Sequence, residues 1–269
     1  MDNIEIIVKN NLKDLGLTPI LKLSDFRKKK KRFYVGPFLN EKKEKVFFKI
    51  LIVNNISPIE SIKKEIKVRD FLTKYENKIL FPHLIKYDNK QSPYWFISQY
   101  REGSTLGYFY ELYDENEKYI PLVVNALFEL HKISYSVLKN ILKNKEFYLW
   151  ENGYEYYLNS IKSHEKGIED EIVKKINFPA IYQFLKEKKK FFQKNPLVFT
   201  HGDFTLANMV ISQGKLFLTD WEHSHLDNFV HDLAHLWIQL WQYPKWQKNL
   251  LSEFIKRLPK NRIEEFKNL

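Results

Sequence analysis

The sequence of 269 residues contains no cysteine and no long apolar run. Without cysteine the chain forms no disulfide and has no thiolate chemistry, which fits a reducing compartment. No apolar stretch approaches the roughly 20 residues that a membrane-spanning helix needs. The first residues lack the basic segment and apolar run of a secretory signal. We therefore expect a cytoplasmic protein with no membrane span.

Acidic residues are the scarcer charge, 33 against 44 basic ones, and the formal net charge is +11. Such an excess suggests a nucleic-acid partner. Lysine is nevertheless spread along nearly every segment, and a dispersed charge raises general affinity for polyanions without defining a site. The sequence therefore predicts no specific nucleic-acid partner, and it leaves the oligomeric state open.

The residues up to about position 100 combine strands with one helix. Apolar or alternating segments predict β-strands over residues 20–26, 32–39, 46–53 and 94–99. Ser57, Pro58 and Glu60 form a capping box with Ser57 at the N-cap, and this helix is expected to end near Tyr75.

The remaining chain is mostly helical. Helices are expected over residues 122–133, 148–163, 168–175, 180–192, 229–243 and 246–258, with a strand at 197–200 and a hairpin of 209–211 with 215–218. Gly214 is placed for a positive φ in that hairpin. A break around Gly103 separates the two parts, so we expect an N-terminal lobe, 1–100, and a C-terminal lobe, 101–269.

Three polar residues in the second part have a spacing suited to phosphoryl transfer. Asp203 and Asn208 lie five positions apart, and Asp220 follows at the end of the next predicted strand. Transfer from ATP needs an acceptor hydroxyl held in line and Mg²⁺ to absorb charge. One carboxylate can face the hydroxyl, while the amide oxygen and the second carboxylate reach the metal. The protein-kinase catalytic signature has the same Asp-to-Asn spacing and the same later Asp.

Lys49 is the single charge within the apolar strand 46–53. A lone lysine on a strand usually extends its stem to water. Here Glu65, 16 positions later on the predicted helix, offers a partner, whereas the capping box already accounts for Glu60. Because kinases hold the α- and β-phosphates of ATP with such a pair, we expect Lys49 to pair with Glu65.

These residues resemble the aminoglycoside phosphotransferase and choline kinase superfamily, small-molecule relatives of the protein kinases. Residues 126–133, the run 220–222 and the segment 230–237 resemble it too, in the right order over most of the chain. The resemblance implies an α+β, bilobal protein-kinase-like fold, with a small β-rich N-lobe carrying one helix and a larger, mainly helical C-lobe. An arginine in place of Gly202 and an Ala-Pro-Glu segment would indicate a protein kinase, and the sequence has neither.

By this resemblance the cofactors are ATP and Mg²⁺. Asp203 would be the catalytic base, with Asn208 and Asp220 as metal ligands. Asp232 would support the catalytic loop, and His201 would orient its backbone. The residues assigned to the nucleotide are Lys49, Glu65, Gln99 and Tyr100.

The nucleotide loop departs from the superfamily pattern. No G-x-G-x-x-G lies between Ser24 and Lys45, and residues 27–32 are all basic. This run is either a solvated loop, a basic cover for phosphates, or a patch for polyanions or membrane surfaces. The irregular loop keeps a nucleotide-binding pseudoenzyme open as an alternative function, with a polyanion-binding module as a weaker one.

Four histidines lie close together in the sequence, at His223, His225, His231 and His235. The spacing of the last two occurs in zinc hydrolases, but those carry H-E-x-x-H with a general-base Glu. Here Asp232 follows His231 instead, so we expect packed or surface histidines rather than a zinc site.

The acceptor is expected to be a hydroxyl-bearing small molecule. Trp221, Glu222 and Asp227 are its predicted binding residues, because aromatic faces beside carboxylates suit a cationic alcohol. Further aromatic residues of this region are Trp237, Trp241, Tyr243 and Trp246. The two acceptor classes left open are a cationic amino alcohol such as choline and an aminoglycoside or sugar.

Overall fold

The computed structural model describes residues 2–20, 28–29, 32–53, 56–75, 78–108, 110–113, 115, 117–133, 138, 154–167, 175–194 and 197–267. The chain forms two compact units. Unit 1 contains Met1–Tyr108 and Leu206–His223, and unit 2 contains Phe109–Thr205 and Ser224–Leu269. Each unit is built from two separate segments, whereas the lobes predicted from sequence are continuous.

Helices and strands are mixed along the chain, as expected for an α+β protein. In order they are α1 (Asp2–Asp14), β1 (Thr18–Pro19), β2 (Lys28–Lys29), β3 (Phe33–Leu39), β4 (Lys45–Leu51), α2 (Ile56–Lys74), β5 (Leu84–Asp88), β6 (Trp95–Gln99), β7 (Ser104–Thr105), β8 (Gly107–Tyr108), β9 (Glu111–Leu112), α3 (Ile120–His131), α4 (Tyr154–Gly167), α5 (Phe178–Lys194), β10 (Val198–Thr200), β11 (Met209–Ser212), β12 (Lys215–Leu218), β13 (His225–Asp227), α6 (His231–Gln239), α7 (Pro244–Arg257) and α8 (Lys260–Lys267).

The larger sheet of unit 1 is antiparallel and has the strand order β1–β3–β4–β6–β5, with β2 paired to β3. Because side chains alternate along a strand, β4 buries two different sets of residues. One face packs Phe48 and Ile50 with Val8 and Leu12 of α1. The opposite face belongs with Ile62 and Ile66 of α2 and carries the core residues Phe33, Leu51 and Phe96. Lys49 shares this second face.

The predicted strands over 32–39, 46–53 and 94–99 correspond to β3, β4 and β6, with shifts of one or two residues at their ends. The strand predicted over 20–26 lies almost wholly outside the described residues. The N-cap assignment of Ser57 is wrong, since α2 already includes Ile56. Pro58 remains within the first turn, where its missing N–H would have no helical partner anyway.

A three-stranded sheet with the order β12–β11–β7 completes the strand framework of unit 1. The β11–β12 turn has positive φ at Gln213 (50°) and Gly214 (71°), so the expected conformation at Gly214 is confirmed. Positive φ at both central residues is typical of tight hairpins. Thr105 of β7 pairs with Val210 on the other edge of β11.

Unit 2 is mainly helical and contains one antiparallel strand pair, β10 with β13, among its described residues. Val123, Val124, Leu127 and Leu130 are buried along α3, and this helix contacts α7 and β10. Residues 168–174 of the predicted helix 168–175 lie outside the described residues. No described helix is long and apolar enough to cross a membrane.

Candidate active site

Lys49 lies at the centre of a buried ion cluster in unit 1. Its Nζ donates to Glu65 Oε2 at 2.6 Å, to Glu222 Oε2 at 3.1 Å and to Asp220 Oδ1 at 3.2 Å. The predicted pairing of Lys49 with Glu65 is therefore confirmed. Glu65 also accepts from Arg69, one helical turn later, at 2.7 Å from Nη2. Asp220 and Glu222 follow β12 and lie far from Lys49 in the sequence. Their bonds to Lys49 therefore hold two segments of unit 1 together.

The carboxylates of this cluster are matched by cations. Glu65, Asp220 and Glu222 face Lys49 and Arg69, and Arg32 Nη2 lies 3.9 Å from Glu222 Oε1. Burial by itself lowers the pKa of Lys49, but the carboxylates of Glu65, Asp220 and Glu222 outweigh it and raise that pKa above its ordinary value. Lys49 therefore stays charged.

A cavity of about 330 Å³ in unit 1 opens beside Lys49. Its lining includes all four residues assigned to the nucleotide and both assigned metal ligands, namely Lys49, Glu65, Gln99, Tyr100, Asn208 and Asp220. Apolar lining comes from Val35, Phe47, Ala207 and Val210. Cavities of this size that combine apolar walls with a few polar groups are typical small-molecule sites.

The β11–β12 hairpin positions both assigned metal ligands. The Asn208 carbonyl accepts from the Thr219 amide at 3.0 Å, which places Asn208 across from the residue before Asp220. Asp220 has φ of 66°, in the left-handed region that residues other than glycine seldom adopt. Such backbone strain is concentrated at functional sites, and here it accompanies a carboxylate in the cavity wall.

The loop carrying Asp203 is anchored in unit 2 by Asp232. The Asp232 carboxylate accepts from the His201 backbone amide at 2.7 Å and from the Gly202 backbone amide at 3.0 Å. Gly202 has φ of 78°, which suits glycine. His201 Nδ1 lies 3.4 Å from the Asp203 amide. These contacts match the supporting role assigned to Asp232 and the orienting role assigned to His201.

His235 of α6 is also part of the surroundings of Asp203. Burial lowers the pKa of His235, while the charge of the Asp203 carboxylate acts in the opposite direction. The sequence indicated His235 only as one member of a histidine cluster. Its electrostatic coupling to Asp203 became visible once α6 was placed in unit 2.

The three residues assigned to acceptor binding are all buried. Trp221 is 0% exposed and packs edge-on against Phe81, so neither face of its ring is free to stack on a ligand. Glu222 belongs to the Lys49 cluster. Asp227 is buried in a separate network with Tyr157. Aromatic clusters in a sequence more often belong to the core than to a binding site, and Trp221 is such a core residue.

Sequence reasoning also missed polar residues that line the cavity, among them Arg69 and Ser98. Arg69 binds Glu65 and donates to the Pro82 carbonyl at 3.0 Å. The position of Arg69 four residues after Glu65 was the available signal. Within the part of the chain that the structure describes, the buried hydroxyl of Ser98 has no hydrogen-bond partner, and nothing in the sequence marks it. A ligand in the cavity could satisfy this hydroxyl.

The chain has a protein-kinase-like α+β fold, as its likeness to solved structures shows. APH(2″)-IIa in a ternary complex with streptomycin and ATP matches with a TM-score of 0.64 and 19% identity, over 98% of this chain and 86% of that chain. An amicoumacin kinase bound to AMP-PNP and Ca²⁺ matches with a TM-score of 0.61 and 14% identity, over 95% of this chain and 77% of that chain. Macrolide 2′-phosphotransferase MphH from Brachybacterium faecium matches with a TM-score of 0.61 and 7% identity, over 95% of this chain and 83% of that chain.

The sequence comparison defines the family. The model of the Phosphotransferase enzyme family matches residues 45–259, well over half of the chain, and the chain belongs to this family. It is therefore a phosphotransferase, and the superfamily indicated by its motifs is confirmed. No curated protein sequence matches the chain.

Proposed function

We propose that this protein transfers the terminal phosphoryl group of ATP to a hydroxyl group of a small molecule. The observation that carries the proposal is that Lys49, Glu65, Asn208 and Asp220 line one and the same cavity of unit 1. These four residues were assigned to Mg-ATP from sequence motifs far apart in the chain. Their convergence on one cavity supports the nucleotide site.

The cavity offers complementary surfaces for a nucleotide. Val35, Phe47 and Val210 provide apolar walls for a base, near Gln99 and Tyr100. Lys49 supplies the positive charge for phosphate oxygens, and Glu65 keeps it in place. Structures related in fold have been solved with ATP and with AMP-PNP.

Mg²⁺ fits the donor set that Asn208 and Asp220 provide. An amide oxygen and a carboxylate are hard oxygen ligands, which Mg²⁺ prefers together with phosphate oxygens. When bound, Mg²⁺ would neutralise charge on the phosphates of the nucleotide.

Asp203 is the proposed catalytic base. Its carboxylate would accept the proton of the acceptor hydroxyl as that oxygen bonds to the terminal phosphorus and the bond from phosphorus to ADP breaks. The loop that carries Asp203 is held through the bonds from its backbone to Asp232. This anchoring would orient the carboxylate before the acceptor arrives, which is how a positioned base contributes to rate.

The proposed acceptor remains a cationic amino alcohol or an aminoglycoside or sugar. With Trp221 buried, the aromatic residues of unit 2 that have exposed faces are better placed to contact it. Trp237 and Trp241 on and after α6 are 43% and 62% exposed. Exposed indole faces attract cationic groups. A cytoplasmic location remains part of the proposal, from the absence of cysteine.

The test is a mass-spectrometric screen of wild type with ATP and Mg²⁺ over choline, ethanolamine, aminoglycosides and simple sugars. Asp203→Asn keeps the shape of the side chain and removes its basicity. We expect one acceptor class to gain phosphate with wild type and a rate lower by roughly 10²- to 10⁴-fold with Asp203→Asn. Asp70→Asn removes one partner of the exposed Asp70–Lys74 ion pair in α2. This variant serves as the control and should keep full activity.

The irregular nucleotide loop favours one competing function, a nucleotide-binding pseudoenzyme. It predicts that wild type binds ATP, that no acceptor is modified, and that Asp203→Asn leaves binding unchanged. A polyanion-binding module instead predicts salt-sensitive nucleic-acid binding that survives this substitution. Either result would contradict the proposed transfer reaction.

A further inference from the structure

Three metal-ligand side chains converge in unit 2, away from the residues assigned to ATP and Mg²⁺. His225 Nε2 lies 3.0 Å from Asp227 Oδ2, and His231 Nδ1 lies 3.1 Å from the same oxygen. The three ligand atoms all lie within 4.8 Å of one another. Two imidazole nitrogens and one carboxylate oxygen therefore meet at a single point.

The fold brings these side chains together without a long loop. His225 and Asp227 lie two residues apart on β13, so they share one face of a strand that β10 holds in register. Thr200 of β10 donates to the His225 carbonyl at 2.9 Å. His231 is the first residue of α6, only four positions after Asp227. The three side chains are thus arranged before any ligand is present.

Asp227 is oriented by further hydrogen bonds. The Asn228 amide donates to Asp227 Oδ1 at 2.6 Å, and the Tyr157 hydroxyl lies 2.7 Å from both carboxylate oxygens. Tyr157 also lies 3.2 Å from His231 Nδ1. Such outer contacts fix the direction of metal-binding carboxylates and imidazoles in known sites.

The spacing of the ligand atoms suits a tetrahedral ion. Zinc bonds of roughly 2.0–2.2 Å to nitrogen and oxygen imply ligand atoms roughly 3.2–3.5 Å apart. The separations of Asp227 Oδ2 from the two imidazole nitrogens, 3.0 and 3.1 Å, lie within a few tenths of an ångström of that range, and the two nitrogens lie within 4.8 Å of each other. Nitrogen donors select zinc-like ions over Mg²⁺, which prefers oxygen. Without a metal, the imidazoles of His225 and His231 and the phenol of Tyr157 surround the one buried carboxylate of Asp227 through hydrogen bonds alone.

We propose that His225, Asp227 and His231 form a binding site for one zinc ion, with water or Tyr157 as the fourth ligand. His231 has a side chain that is 23% exposed, which gives the ion access from solvent. The site differs from the zinc motif considered in the sequence. There His231 was paired with His235, whereas the structure brings His231 onto Asp227 and leaves the His235 ring centroid 6.4 Å away.

The ion would act as a clamp beneath the catalytic loop. It would join β13 to the start of α6, where Asp232 follows His231 and holds the backbone of His201 and Gly202. Binding to the folded state alone stabilises a protein by mass action. Zinc is therefore expected to raise the thermal stability of the chain, whether or not phosphoryl transfer occurs.

The test uses the full chain freed of metal with a chelator and then titrated with Zn²⁺ by calorimetry and with Co²⁺ by visible absorption. Wild type should bind one equivalent of each ion, show the d–d bands of tetrahedral Co²⁺, and unfold at a higher temperature when loaded. His231→Ala should weaken binding by more than the roughly 10- to 100-fold that loss of an outer contact costs. His223→Ala, at an exposed neighbouring histidine, should bind like wild type.

A second measurement needs no variant and so does not depend on folding of the mutant. Zn²⁺ should protect the partly exposed His231 of wild type from diethyl pyrocarbonate, as read by peptide mapping, and leave the exposed His223 reactive. Absence of stoichiometric binding by wild type would overturn the proposal. Equal binding by His231→Ala, or equal protection of His223 and His231, would show adventitious metal only and would overturn it as well.

Discussion

At the scale of single residues, Lys49 has the most constrained environment that we describe in unit 1. The residue is 2% exposed and contacts three carboxylates. Removing one partner of a buried ion cluster leaves uncompensated charge, which costs far more than loss of a surface pair. The stability of unit 1 and its proposed phosphate contact therefore depend on the same ammonium group.

We predict that Lys49→Met lowers the free energy of unfolding by about 3–5 kcal/mol and abolishes activity. The double variant Lys49→Met with Glu222→Gln should regain part of the stability, because one buried carboxylate is then neutral, and should stay inactive. Urea unfolding measures both. Lys45→Met, at an exposed residue four positions earlier on β4, should change stability by no more than about 0.5 kcal/mol. Similar losses at both lysines would contradict the cluster argument.

His131 at the end of α3 offers a pH-dependent contribution to stability. Its Nε2 is buried and has no hydrogen-bond partner among the described residues, and Phe128, Phe229 and Phe254 surround the ring. Burial lowers the pKa of His131 from 6.5 to about 4, against a smaller raising effect of Asp232 and with a still smaller lowering effect of Arg262. Above pH 6.5 both folded and unfolded forms are neutral at this residue. Between 6.5 and about 4 the unfolded chain takes up a proton that the folded chain does not.

The free energy of unfolding should therefore fall by about 3 kcal/mol through His131 as the pH drops from about 7 to about 4. His131→Phe keeps an aromatic ring among aromatic neighbours and removes the titration. As the pH drops through this range, the free energy of unfolding of His131→Phe should rise steadily relative to that of wild type, as measured by urea unfolding at each pH. Parallel pH profiles of the two proteins would show that His131 does not contribute.

At the scale of secondary-structure elements, the approach of β7 to β11 depends on one glycine. A Cβ atom at Gly103 would lie 2.0 Å from the Ile211 carbonyl oxygen. Backbone cannot move aside as a flexible side chain can, so any larger residue separates the two strands. The sequence marked Gly103 only as a break between two parts of the chain, because the contact joins residues about 100 positions apart.

Gly103→Ala should lower the free energy of unfolding by about 1–3 kcal/mol through this clash. It should also raise the KM for ATP, because Gly103 lines the cavity. Gly167→Ala at the end of α4 is the matched control, since an added Cβ there meets nothing within 4 Å. Thermal unfolding and ATP-dependent kinetics would separate the two variants, and equal behaviour would contradict the close approach.

The same scale shows why α1 escaped sequence analysis. Val8 and Leu12, four residues apart, pack on the sheet of unit 1. The segment has five apolar residues, but four of them, Ile4, Ile6, Ile7 and Val8, are β-branched, which weakens its helical signal. The β11–β12 hairpin was predicted correctly because Gly214 and two short apolar runs are local signals.

At the scale of the whole molecule, unit 1 combines two segments, Met1–Tyr108 and Leu206–His223. The cavity draws its lining from both. A ligand bound there should therefore stabilise segments that are far apart in the sequence. This gives a test of the nucleotide site that does not require the acceptor to be known.

Hydrogen exchange with and without AMP-PNP and Mg²⁺ should show slower exchange in β4, β6, β11 and β12. At a nucleotide concentration of about 100 times Kd the gain in stability is about 2.7 kcal/mol, or roughly 100-fold slower exchange for amides that open by global unfolding. Asp220→Asn keeps a side chain that tolerates positive φ and should lose the part of the protection that depends on Mg²⁺. Protection that ignores Mg²⁺ in wild type would contradict the assigned metal site.

The sequence alone indicated the reaction class, because the order and spacing of Lys49, Glu65, Asp203, Asn208 and Asp220 resemble those of small-molecule kinases. It also predicted most strands, since apolar patterns are local. The partners of buried charges followed only from the three-dimensional fold. Glu222 joined Lys49, and Trp221 and Asp227 turned inward, because burial depends on elements that meet across long sequence distances. The convergence of His225, Asp227 and His231 arose in the same way.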